Sequence, residues 1–130
     1  MPGAPLRRAR PATIAFAAVC DALLVTLFAG IGRSEHERAA TLAGLLETAW
    51  PFLAGLAIAW CATFAWRRPL SVMRTGIPLW IGSVAIGMVL RALTGAGTAL
   101  PFVIVATLTL GAFLLGWRAL AALIARLRRA

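Results

Sequence analysis

Four apolar stretches, each long enough to cross a bilayer as a helix, dominate this chain. They cover residues 11–32, 48–66, 76–95 and 99–125, and only Asp21, Arg91 and Arg118 interrupt them with charge. A hydrocarbon core needs about 20 apolar residues in a helix. Hydrophobic residues make up 62% of the 130-residue chain, against roughly 45–50% in soluble domains. A chain this short builds no soluble core large enough to hide that surplus. The predicted fold is all-α: a four-helix transmembrane bundle, in one domain over residues 1–130.

Charge placement sets the expected orientation. All thirteen basic residues are Arg, and the net charge is +9. The absence of Lys beside abundant Ala, Gly and Pro is the codon signature of a GC-rich prokaryotic genome. Arg7, Arg8 and Arg10 precede the first span, Arg67, Arg68 and Arg74 fill the middle connection, and Arg126, Arg128 and Arg129 follow the fourth span. The segment 33–47 sets Arg33 and Arg38 against Glu35, Glu37 and Glu47, and the segment 96–98 is uncharged. The positive-inside rule then places both termini and the middle loop in the cytoplasm, in a bacterial inner membrane. Orientation accounts for the basic balance. No soluble module with a basic groove accompanies it, so nucleic acid is not an expected partner. Trp50, Trp66, Trp80 and Trp117 fall near span ends, where indole suits the headgroup layer. Trp60 is deeper and is expected to pack between helices. The first span is too long, and too polar at Asp21, for a cleaved signal peptide, and is expected to be retained.

Ser34 and Glu37 have capping-box spacing, which predicts a short helix over 34–47. That helix either lies on the outer surface or runs straight into span two, and Pro51 predicts a break or kink near the boundary. Residues 48–53, Thr-Ala-Trp-Pro-Phe-Leu, resemble residues 98–103, Thr-Ala-Leu-Pro-Phe-Val, at an offset of fifty. Each copy leads towards a Trp-Arg pair, Trp66-Arg67 and Trp117-Arg118. The repeat predicts two tandem helical hairpins of like orientation.

Asp21 is the most informative residue, because an ionised carboxylate at mid-span is costly. It is either a proton- or cation-responsive group or a clamp that binds a neighbouring helix. Small Ala17 and Ala18 beside it allow close approach. By helical rise Arg91 lies about 10 Å from it in depth and Arg118 about 12 Å on the other side. Either guanidinium is a candidate partner, and snorkelling to an interface is the alternative for both. Stripes of small and polar residues mark helix-packing faces: Gly55 with Ala59, Ser83 with Gly87 and Arg91, and Thr107 with Gly111 and Arg118. Arg33, His36, Glu47 and Arg91 are expected to gather at the outer surface as an ionic network. Too few ligands accompany His36 for a metal site. Cys20 and Cys61 lack metal-ligand spacing and read as small apolar fillers. No cofactor-binding motif is present.

Together, Asp21, Gly32-Arg33 with His36, residues 48–52, Gly87-Met88-Val89-Leu90-Arg91, Gly95-Ala96-Gly97-Thr98-Ala99 and Gly116-Trp117-Arg118 carry a resemblance over nearly the whole chain. The chain resembles a family of small four-span prokaryotic membrane proteins known as a domain of unknown function and frequent in actinobacteria and halophilic archaea. The resemblance implies a four-span fold and no activity. Three functions compete. The first, and the one the sequence favours, is a small transporter or permeation unit acting as a homo-oligomer. A carboxylate in the first of four spans also resembles small multidrug exporters, by fold-level analogy. The second is a non-catalytic membrane partner that stabilises or localises a larger complex. The third, an intramembrane enzyme, lacks any nucleophile–base spacing, so no enzymatic activity is expected.

Overall fold

The computed structural model describes residues 8–34 and 41–129. Four long helices account for most of them: α1 (Pro11–Ser34), α2 (Leu42–Ala62), α3 (Ile77–Leu93) and α4 (Leu100–Arg129). All four are long and apolar enough to cross a membrane, α3 together with the turn that leads into it (Val72–Leu93). They pack in ring order, α1 on α2, α2 on α3, α3 on α4 and α4 back on α1. Large apolar side chains such as Leu23, Ile58, Ile81 and Leu108 point outwards all round this ring. Water would oppose that arrangement and lipid favours it.

Helix ends follow local chemistry. Pro11 opens α1, where its missing N–H costs nothing. Thr41 caps α2 by accepting from the Gly44 amide at 3.1 Å. Of the two alternatives for the helix over 34–47, the structure shows the second where it is described: residues 42–47 form the first turns of α2 itself, while Ser34, the expected cap, is the last residue of α1 and 35–40 lie outside the described residues. Helix α2 also runs through Pro51 without a break. A proline in mid-helix forfeits one hydrogen bond, and the ends of α2 are otherwise well capped. At its other end α2 stops at Ala62, short of the expected 66. Phe64 adopts a left-handed conformation with φ 52°, which ends the helix. Its ring is held by Trp66 edge-on at 5.4 Å and by the Arg67 guanidinium at 4.6 Å.

The connection that follows is compact. A 3-10 turn (Ala65–Arg67) and a π-helical turn (Val72–Gly76) lead into α3. Ser71 caps the π turn through the Arg74 amide at 3.1 Å, and Thr75 donates to the Arg68 carbonyl at 2.5 Å. At the opposite end, Gly95 at φ 77° turns the chain from α3 towards α4, and Arg91 Nε donates to the Gly97 carbonyl at 2.9 Å.

The small-residue stripes fall on the helix seams. A Cβ at Gly55 would lie 3.1 Å from the Ser83 carbonyl, and one at Gly87 would lie 2.5 Å from the Phe52 ring. On the α3–α4 seam Trp80 covers Gly111, and its Nε1 donates to the Thr107 carbonyl at 2.7 Å. Ser83 Oγ is buried without a partner among the described residues. Phe28, Phe52 and Phe102 meet with centroids 5.3–6.2 Å apart. The repeat thus brings its two phenylalanines, Phe52 and Phe102, into one cluster. Its two copies differ in setting, however: Pro101 lies in the first turn of α4, while Pro51 lies well inside α2.

Candidate functional site

The polar centre of the bundle is built by three helices and the middle connection. Asp21 projects from α1, Trp60 from α2, and the consecutive pair Trp117 and Arg118 from α4. Arg118 Nη1 donates to Asp21 Oδ1 and Nη2 donates to Oδ2, both at 2.7 Å. The indoles complete the carboxylate: Trp60 Nε1 donates to Oδ2 at 2.9 Å and Trp117 Nε1 donates to Oδ1 at 2.8 Å. Each oxygen therefore accepts two hydrogen bonds. Asp21 and Arg118 are both fully buried.

The guanidinium is held as firmly as the carboxylate. Nε donates to the Pro69 carbonyl at 2.9 Å, and Nη1 donates to the Leu114 carbonyl at 3.1 Å. Its Cζ also lies 4.6 Å from the Trp117 ring centroid, and Phe16 closes on that ring edge-on at 6.0 Å. Two small residues make the room. Ala17, one turn before Asp21, is fully buried, and Gly76 leaves space for the Leu115 and Arg118 side chains, which a Cβ there would meet at 2.9 and 3.3 Å.

Two charges taken out of water repay their desolvation only when geometry is good and the remaining donors and acceptors are met. Bidentate Arg–carboxylate pairing with two further donors satisfies that condition. Chemically the arrangement is a lock. It has no acceptor left for a substrate proton, and its carboxylate is committed to four donors. Trp60→Phe and Trp117→Phe each remove one donor and leave the ion pair. Each is expected to cost about 1–2 kcal/mol, read as a lower thermal midpoint of the detergent-solubilised protein.

The structure chooses between the two candidate partners of Asp21. Arg118 is the partner and does not snorkel. Helix α1 continues to Ser34, so Asp21 sits ~20 Å from that end and Arg118 ~27 Å from the start of α4. The gap in depth is smaller than expected and within reach of an arginine. Arg91 instead lies at the other end, with its Cζ 4.3 Å over the Phe102 ring. Of the expected outer ionic network, Arg91 and Glu47 form no ion pair with each other among the described residues. The side chain of Arg33 and all of His36 lie outside the described residues. Gly55, Ser83, Gly87 and Gly111 are all buried on helix seams.

Sequence reasoning placed Trp60 between helices but joined neither it nor Trp117 to Asp21. Trp117 and Trp80 were expected at the headgroup layer, yet both donate to acceptors inside the bundle. The signal was available for Trp60, since an indole N–H in mid-span must find an acceptor and Asp21 is the strongest one. Among the described residues no three His, Cys, Asp or Glu side chains gather at one point.

Fold and site together define a four-helix membrane bundle locked by one buried carboxylate–guanidinium pair. The model of the family described as "Protein of unknown function (DUF3054)" matches residues 18–121, and the chain belongs to that family. No curated protein and no solved structure matches it. The matched segment includes Asp21, Trp60, Trp117 and Arg118.

Proposed function

We propose that this protein is a non-catalytic, multi-pass component of the cytoplasmic membrane, a rigid helical scaffold that stabilises or localises a membrane partner. The observation that carries this reading is the occupancy of Asp21. A carboxylate that moves protons or cations must exchange its partners during turnover, and this one holds four donors in a fully buried site. Both termini are assigned to the cytoplasm, supported by the Arg residues that flank spans one and four and fill the middle connection.

A permeation unit acting as a homo-oligomer ranks second, because it leans on a responsive Asp21. The two roles separate in one preparation. Vesicles containing the purified protein are expected to hold an imposed pH gradient as long as empty vesicles do. From native membranes in mild detergent, a second membrane protein is expected to co-purify at fixed ratio. A proton leak that Asp21→Asn abolishes would overturn the scaffold reading.

A further inference from the structure

We propose that an arginine-lined cleft at the connector end of the bundle binds the headgroup of an anionic phospholipid bearing two phosphate charges. The cleft encloses about 860 Å³ between the N-terminal segment and the middle connection. Arg8, Arg67, Arg68 and Arg74 line it, and Arg10 lines the adjoining groove. Among the described residues no carboxylate lines either space. Among the described residues the acids are Asp21 and Glu47 alone: Asp21 is spent on Arg118, and Glu47 lies in the first turns of α2 at the opposite end. Four cations around one cavity repel one another until an anion sits among them. Guanidinium groups match phosphate oxygens through paired, planar donors.

The surroundings favour a lipid over a soluble phosphate. Phe64, Trp66 and Ile14 share the cleft wall with the arginines. Exposed Leu70 and Met73 stand at the rim of the adjoining groove. Charge beside aromatic and aliphatic surface, where spans leave the hydrocarbon layer, fits a headgroup with its acyl chains attached. The cleft is also built in advance. The Arg118–Pro69 and Thr75–Arg68 hydrogen bonds fasten the connection that carries three of its arginines. The lock at Asp21 therefore positions the cleft floor. The inference does not depend on the scaffold reading, since it concerns a different surface.

Native mass spectrometry of the full chain in detergent tests it, with cardiolipin, phosphatidylcholine and inorganic pyrophosphate as separate probes. Cardiolipin is expected to bind at least about tenfold more tightly than phosphatidylcholine. The triple variant Arg67→Gln/Arg68→Gln/Arg74→Gln is expected to lose that margin, and Arg126→Gln/Arg128→Gln/Arg129→Gln, with the same change in charge, to keep it. Should the first triple variant not fold, each of its single variants is expected to weaken cardiolipin alone. Equal losses in the two triple variants would mean diffuse attraction and would overturn the site. Pyrophosphate binding as tightly as cardiolipin would overturn the lipid assignment.

Discussion

Arg118→Ala is expected to remove most of the folded protein that can be recovered from membranes. The substitution strands a fully buried carboxylate, and breaking a buried pair from one side costs about 3–5 kcal/mol. That is a large share of a net stability of roughly 5–15 kcal/mol. It also frees the Pro69 carbonyl, so the connection loses its tie to α4. Asp21→Leu is expected to do comparable harm by stranding the guanidinium and two indole N–H groups. Arg118→Lys is expected to fall between these and the native chain, because an ammonium keeps the charge and loses the planar fork. The double variant Asp21→Leu/Arg118→Met is expected to recover part of the loss, since no charge remains buried. Adding Trp60→Phe and Trp117→Phe to it removes the unpaired donors and should recover more. The fraction eluting as a folded species on size exclusion reads each step. Additive losses in the double variant would show that the pair is not a coupled unit.

Gly87→Val is the second substitution with a large expected effect. Its Cβ would lie 2.5 and 2.8 Å from two carbons of the Phe52 ring. Phe52 cannot retreat, because Phe28 and Phe102 hold its other side at 5.3 and 6.1 Å. Helices α2 and α3 must separate along a seam that membrane helices hold by packing alone. Overpacking of this kind costs about 1–3 kcal/mol. Phe52→Leu is expected to relieve part of it. Gly116→Ala is the control, since a Cβ there meets nothing within 4 Å, and its thermal midpoint is expected to match the native chain.

The bundle was legible because lipid removes most alternatives. Twenty apolar residues in a row have one economical way to satisfy their backbone, and four such runs make four helices. Helix ends were less legible. Phe64 ends α2 through a left-handed conformation that no residue preference announces, and Pro51 sits inside a helix whose two ends are capped by threonines. The site was half visible. Asp21 and Arg118 stood out as charges in apolar runs, but rise per residue alone left Arg91 in contention. Depth was blurred because α1 runs two residues past its expected end, to Ser34, and α4 starts one residue later than expected, at Leu100. Trp117 was hidden for another reason: tryptophan near a span end has a satisfactory home at the headgroups. Only the fold shows that Trp117 faces inwards beside its neighbour Arg118. The arginine cleft was hidden by the same logic, since positive charge scattered at the ends of spans has a general explanation. The three-dimensional gathering of Arg8 with Arg67, Arg68 and Arg74 around one space does not follow from that rule.

Water access beside the ion pair tests the central claim most directly. With Cys20 and Cys61 replaced, a single cysteine is placed at Ala17 or at Val25, one turn on either side of Asp21 and both fully buried. The Asp21–Arg118 pair stays intact in both variants. A small membrane-impermeant thiol reagent is then applied to each face of sealed vesicles. Protection of both cysteines from both faces, in protein that remains folded, is the result a dry lock predicts. Labelling of either cysteine from either face would mean that water reaches the pair, and would contradict the account.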